Sequence, residues 1–90
     1  MKDIQKIQSA LTRMAELLRQ AAIEDWAAAL ESIKHEIVVD ERAALTKIIS
    51  MYGGMGSLND LVLYRNGQLL VRENNEFDLL RSELHALCRA

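Results

Sequence analysis

Residues 52 to 60, which read Tyr-Gly-Gly-Met-Gly-Ser-Leu-Asn-Asp, are the part of the chain whose residue types and spacing could do chemistry. They hold three of the four glycines of a chain without proline. Because glycine reaches backbone angles that other residues reach only at a cost, the run predicts one unusual turn. Successive amide groups in such a turn can form a concave anion site. Three roles stay open: a structural turn after a helix, a loop that contacts a partner, or a phosphate site.

The two common phosphate-binding motifs do not fit this run. A phosphate loop needs Gly-x-x-x-x-Gly-Lys-Ser/Thr after a strand, and neither the lysine nor the strand is present. A dinucleotide fingerprint needs a third glycine after Gly54-x-Gly56, which is also missing. We therefore favour the structural role, in which a left-handed Gly53 closes the preceding helix. In that case Gly53→Val is expected to lower the free energy of unfolding by about 1–3 kcal/mol.

The short polar side chains beside the glycines suit a turn better than catalysis. Ser57, Asn59 and Asp60 can form hydrogen bonds with local backbone groups. As a nucleophile, Ser57 would need a neighbouring base, and both histidines lie far away in ordinary predicted helices. The predicted structural turn consists of Gly53, Gly54, Met55, Gly56, Ser57, Asn59 and Asp60.

The sequence also gives little support for a metal site or for catalysis by neighbouring carboxylates. His85 and Cys88 share a helical face but make at most half of a metal site. The chain has no Cys-x-x-Cys or His-Glu-x-x-His spacing. Its neighbouring carboxylates lie at predicted helix starts and on solvated faces. We therefore predict no enzymatic activity, no cofactor and no metal.

Composition narrows the possible functions further. The 90 residues predict one domain, residues 1–90, with little room for both a core and an enclosed substrate cavity. The net charge is −2, and the eleven basic residues are spread along the chain, unlike the basic face of a nucleic-acid binder. Neither a secretory leader nor an apolar span is evident. We expect a cytoplasmic protein that binds neither nucleic acid nor membrane.

Helical periodicity predicts four helices around the glycine run. Asp3, Asp40 and Asn75 are suitable caps for the first, third and last of them. Apolar residues recur at spacings of three or four, so each helix buries one stripe. The predicted ranges are residues 3–22, 23–37, 41–51 and 76–89.

A β-hairpin is predicted between the third and last helices. Its strands are residues 61–65 and 68–72, joined by Asn66-Gly67, a two-residue turn in which both residues need positive φ. Because an isolated hairpin is only marginally stable in water, it must pack on the helices. The predicted fold class is mainly α (α+β): an antiparallel helical bundle of about four helices with a small β-hairpin before the last helix.

Aromatic and acidic side chains are the candidates for contacting a partner. Trp26 is either part of the core or an exposed anchor, and Tyr52 can donate its hydroxyl to the turn or to a partner. Acidic side chains could complement a basic protein surface and speed association. The predicted partner-binding residues are Glu24, Asp25, Trp26, Glu31, Glu36, Asp40, Glu41 and Tyr52.

Residues 53–63, Gly-Gly-Met-Gly-Ser-Leu-Asn-Asp-Leu-Val-Leu, resemble the signature GGMGS-x-ND-L-V-L of a family of small bacterial proteins. The resemblance extends from about residue 48 to 87 and includes the Asn66-Gly67 turn. Members resemble the immunity proteins encoded beside polymorphic toxins of contact-dependent and type VI secretion systems. The resemblance therefore implies an immunity protein that binds and neutralises a cognate toxin domain. It implies that Gly53, Gly54, Met55, Gly56, Ser57, Asn59 and Asp60 belong to the shared motif.

Two other functions stay open. The chain could be a small regulatory or adaptor protein that acts as a homodimer through an exposed apolar helix face. It could also be an enzyme or small-anion binder that uses the glycine turn. Light scattering separates the first of these from an immunity protein, and thermal shift against phosphates tests the second.

Overall fold

A computed structural model describes residues 3–53 and 56–90, and in this part of the chain it contains four α-helices, one 3-10 turn and one hairpin. The helices are α1 (Ile4–Gln20), α2 (Glu24–Glu36), α3 (Glu41–Ser50) and α4 (Val71–Arg89). The 3-10 turn is Leu58–Asp60, and the strands are β1 (Tyr64–Arg65) and β2 (Gln68–Leu69). The predicted class, an antiparallel helical bundle with a hairpin before the last helix, is confirmed.

Helix α1 supplies the centre of the bundle. The Asp3 side chain caps it by accepting a hydrogen bond of 3.0 Å from the Lys6 amide, as predicted. Helix α1 packs most extensively against α2 and also against α4, while α3 packs against both α2 and α4. The buried residues of α1 are Ile7, Ala10, Leu11, Met14, Ala15, Leu17 and Leu18.

The break between α1 and α2 is made by an alanine with left-handed backbone angles. Ala22 has φ of +58°. Its amide donates to the Arg19 carbonyl at 3.0 Å, and the Ile23 amide donates to the Leu18 carbonyl at 2.9 Å. These two bonds form the Schellman motif, which usually has glycine at the left-handed position. The predicted break at residues 22–24 is confirmed.

Helix α3 begins as predicted but does not end as predicted. Asp40 caps it by accepting from the Ala43 amide at 3.1 Å. At the other end, Met51 is still right-handed, and φ of Gly53 is not positive, so the predicted left-handed closure at Gly53 is wrong. The Leu58 amide instead donates to the Met51 carbonyl at 2.8 Å and satisfies the helix end from outside. The left-handed glycine of this turn is Gly56, with φ of +71°.

The predicted hairpin is present but shorter. Tyr64 pairs with Leu69 and Arg65 with Gln68, and the joining residues Asn66 and Gly67 both have positive φ, as this turn requires. Because each strand has only two residues, α4 begins at Val71 instead of at the predicted residue 76.

The predicted cap of the last helix, Asn75, is therefore wrong, because Asn75 lies inside α4. Its neighbour Asn74 explains the early start. The Asn74 side chain accepts from the Leu63 amide at 2.8 Å and donates to the carbonyls of Leu63 at 2.9 Å and Leu70 at 2.7 Å. Asn74 thus takes the place of a further strand residue, and the helix can begin directly after the hairpin.

The core lies between α1 and the other helices and is closed by the turn and the end of the hairpin, since Leu58 and Leu63 are fully buried in it. Phe77, Leu84 and Cys88 are the buried residues that α4 contributes to the core. Among the described helices, none combines the length and the apolar character that crossing a bilayer requires.

Candidate protein-binding surface

The glycine turn is held together by its own polar side chains. Asp60 Oδ2 accepts from the amides of Gly56 at 2.8 Å and Ser57 at 3.3 Å, and Ser57 Oγ accepts from the Asn59 amide at 3.3 Å. These are local bonds of the kind that the sequence predicts. Because a carboxylate of the chain already binds both amides, they are not available to a phosphate. Gly54 and Met55 lie outside the described residues.

The same turn is fastened to α4 by a side chain that the sequence analysis missed. Arg81 Nη1 donates to the carbonyls of Leu58 at 3.0 Å and Asn59 at 3.2 Å. Arg81 also pairs with the Asp78 carboxylate one turn earlier in α4. No local motif marks Arg81, since its partners are backbone carbonyls 22 and 23 residues away in sequence.

Tyr52 contributes to this fastening through its hydroxyl and its ring. Its hydroxyl donates to the Arg81 carbonyl at 2.6 Å, and its ring lies 4.7 Å from the His85 ring, centroid to centroid. Its own carbonyl accepts from Asn59 Nδ2 at 2.8 Å. Burial raises the pKa of the Tyr52 hydroxyl above its ordinary value of 10.0, so the group remains a donor at neutral pH. Tyr52, named as a partner-binding candidate, is thus engaged internally by its hydroxyl.

Trp26 lines a surface depression of about 320 Å³ together with Asp25, Ala29 and Met51. The indole is partly buried and packs against the core, so both predicted roles, core residue and accessible aromatic, are realised in part. Helix α2 brings Trp26 and Ala29 together because they are three residues apart. Met51, at the end of α3, reaches the depression only through tertiary packing. We call this site the Trp26 depression.

Three of the predicted acidic candidates form ion pairs, on two flanks of α2. On the flank toward α1, Glu24 and Glu31 both pair with Arg19, which bonds Glu24 Oε1 at 3.1 Å and Glu31 Oε2 at 3.2 Å. The hydrogen bond from Arg19 lowers the pKa of Glu31. On the flank toward α3, Glu36 pairs with Lys47 at 2.9 Å. Three of the acidic candidates therefore already have a cation of the chain as partner.

Asp25 is the acidic candidate that borders the Trp26 depression, and within the described residues it makes no ion pair. Asp40 and Glu41 lie elsewhere. They begin α3, ten residues before Met51, which places them about 15 Å away along the helix axis. The structure thus brings Asp25 and Trp26 together with Met51, adds Glu24 beside them, and leaves Asp40 and Glu41 apart.

Residues 19–71 match the family described as a domain of unknown function, DUF6966. No curated protein and no solved structure matches the chain. The matched segment extends from the end of α1 to the first residue of α4, and it contains the Trp26 depression, the glycine turn and the hairpin. Because the match covers more than half of the chain, the protein belongs to the DUF6966 family.

Proposed function

We propose that this protein is a bacterial immunity protein, which binds a cognate toxin domain in the cytoplasm and inhibits it without catalysing a reaction. Two findings support the proposal. Residues 53–63 resemble the signature of small proteins encoded beside polymorphic toxins. In addition, the Trp26 depression combines an accessible aromatic residue, an apolar floor and a carboxylate without an ion pair among the described residues, and this second finding is the one that carries the proposal.

Energetics at protein interfaces explain why this site is suited to a partner. A few residues carry most of the binding energy, and tryptophan is prominent among them when water is excluded around it. Trp26 is partly buried and already packs against the core, so binding a partner would remove little further conformational entropy from its side chain. A standard interface covers about 800 Å² per partner, roughly one-seventh of the 5,575 Å² surface.

The polar residues of the signature support a non-catalytic role. Ser57, Asn59 and Asp60 all form hydrogen bonds with the turn's own backbone. A nucleophile or general base needs a proton partner in the site, whereas these groups bond to amides and carbonyls. Their hydrogen bonds therefore stabilise the glycine turn. We assign binding of the partner protein to the surface that this turn supports.

Growth rescue tests the proposal. The product of the neighbouring gene is expressed with and without this protein, and the two are then purified together through a tag on one of them. We expect restored growth and a stable complex. Asp25→Arg should weaken rescue, whereas Glu83→Arg, at an exposed glutamate of α4, should not. Absence of both rescue and complex would end the proposal.

One observation favours the second candidate, a homodimeric adaptor protein. Four apolar side chains on and beside the hairpin are about half exposed or more: Val62 at 49%, Tyr64 at 53%, Leu69 at 49% and Val71 at 59%. Patches of this kind often mark contacts between proteins. Light scattering at several concentrations is the test. A dimer that Leu69→Asp converts to a monomer would favour the adaptor, whereas a monomer throughout would leave the hairpin without this role.

A further inference from the structure

We propose that the Trp26 depression accepts an arginine side chain of a basic polypeptide segment. The inference rests on the proposed function in one respect, since it names the chemistry that a partner protein presents to this site. It is otherwise a statement about the depression itself, and a purified protein with a short peptide can test it.

The lining of the depression fits the two parts of an arginine side chain. Trp26, Ala29 and Met51 make a floor that is almost entirely apolar. Such a floor can bury the aliphatic stem of a long cationic side chain while its head remains at the edge. An indole attracts a guanidinium through its π system, and a planar guanidinium also stacks on an aromatic ring. A thioether such as that of Met51 adapts to the shape that it contacts.

Asp25 is the acidic residue among those that line the depression. Its carboxylate has no ion-pair partner within residues 3–53 and 56–90, so an incoming cation would not have to displace one. A carboxylate can bind a guanidinium through two parallel hydrogen bonds, which a lysine ammonium cannot reproduce. Aromatic contact and carboxylate together favour arginine over lysine.

The surrounding charges at the α1–α2 junction neither add to this preference nor oppose it. Three carboxylates lie there, those of Glu24, Asp25 and Glu31, and Arg19 binds two of them. Arg65 also reaches the junction, where it donates to the Gln20 carbonyl at 2.9 Å. The charge of Lys34 also helps to lower the pKa of Glu31, so three negative and three positive groups balance, and the attraction for a cation comes from Asp25 alone.

One effect opposes cation binding, namely the positive end of the α2 dipole. It is equivalent to roughly half an elementary charge, and only near the first turn. Glu24 is already paired with Arg19, whereas the Asp25 carboxylate of the same first turn carries a full charge and therefore outweighs the dipole. The site remains attractive to a cation and unattractive to a phosphate.

Tryptophan fluorescence gives a direct test, because Trp26 is the chain's single tryptophan. The full chain is titrated at low salt with acetylated, amidated hexaarginine, hexalysine and hexaglutamate. We expect a saturable change in Trp26 emission with hexaarginine, weaker binding of hexalysine and no response to hexaglutamate. Asp25→Asn should weaken hexaarginine binding by about fivefold, the size of one solvent-exposed ion pair, whereas Glu83→Gln should leave it unchanged.

Three outcomes would overturn the inference: no saturable change, equal binding of hexalysine, or unchanged binding by Asp25→Asn. Growth rescue separates these from a failure of the proposed function. Hexaarginine binding without rescue would remove the immunity role and keep the arginine site. Rescue without hexaarginine binding would keep the immunity role and remove only this inference.

Discussion

At the scale of the residue, four described positions have left-handed backbone angles, and two of them are not glycine. Gly56 and Gly67 adopt these angles without a steric cost. Asn66 is the residue type that tolerates them next best. Ala22 is the exception, because its Cβ lies close to the following carbonyl in this conformation. Two predictions follow from this division.

Gly56→Val should lower the free energy of unfolding by about 1–3 kcal/mol, because a β-branched residue is strained at φ of +71°. Gly53→Val is the matched control. A Cβ at Gly53 meets no atom within 4 Å and φ is not positive, so the change should stay within about 0.5 kcal/mol. Urea denaturation measures both. Equal effects would mean that the left-handed position has been misassigned.

Ala22→Gly should raise the free energy of unfolding by about 0.5–1 kcal/mol. Relief of the strained alanine outweighs the extra freedom that glycine has in the unfolded chain. Ala28→Gly, at an exposed position within α2, should instead lower the free energy of unfolding by about 1 kcal/mol. Opposite shifts in the thermal midpoint are the expected result, and a loss of stability in both variants would contradict it.

At the scale of the element, the hairpin depends on α4 for its stability. Its strands pair over two residues each, too few to be stable alone in water. The Asn74 side chain extends the pairing by three hydrogen bonds to Leu63 and Leu70. The Leu70 amide also donates to the Leu63 carbonyl at 3.0 Å. Hairpin and helix are therefore one unit, joined by a side chain of the helix.

Asn74→Ala should lower the free energy of unfolding by about 1–3 kcal/mol, because it leaves the partly buried amide of Leu63 without its partner. The adjacent Asn75→Ala removes the same chemical group from an exposed position of α4 and should change the stability by less than about 0.5 kcal/mol. Chemical denaturation compares the pair. A larger loss for Asn75→Ala would restore the predicted helix start at residue 76.

At the scale of the whole molecule, α1 is tied to its neighbours by arginines at the surface. Arg13 makes two hydrogen bonds to Glu76 of α4, at 2.6 and 2.9 Å, and Arg19 connects α1 with α2. The hydrogen bond from Arg13 lowers the pKa of Glu76 below its ordinary value of 4.5. A lowered pKa in the folded state means that the pair stabilises the protein above that ordinary value, and that the contribution is lost as the pH falls through the folded pKa.

Glu76→Gln should therefore lower the free energy of unfolding by about 0.5 kcal/mol at pH 7, a small value because solvent screens a pair whose side chains are both 41% exposed. The difference between wild type and variant should shrink as the pH falls below 4.5 and disappear once Glu76 is protonated in the folded protein. Glu83→Gln, at a glutamate without an ion pair among the described residues, serves as the control. A difference that stays constant through the whole acid titration would show that Glu76 acts through packing instead of charge.

The sequence predicts most of the fold because the helical signals are local. Caps at Asp3 and Asp40, apolar stripes and the Asn66-Gly67 turn each involve residues a few positions apart, and the structure agrees with them. Two local predictions are wrong for a nonlocal reason. The carbonyl of Met51, directly after α3, accepts from the amide of Leu58 beyond the glycine turn, and Gly53 is not left-handed. Asn74 binds the hairpin, so α4 starts before Asn75.

The candidate site divides in the same way. Asp25 and Trp26 stand out in the sequence by type and by position at a helix start, and the local bonds of Ser57, Asn59 and Asp60 follow from their place beside glycines. The roles of Met51 and Arg81 could not be recognised in the sequence, since each residue contacts groups of another element. Residue types and spacing thus determine helices, turns and charges, because these depend on neighbours in the chain. Only packing decides which side chains share a surface, because a site is formed wherever separate elements meet.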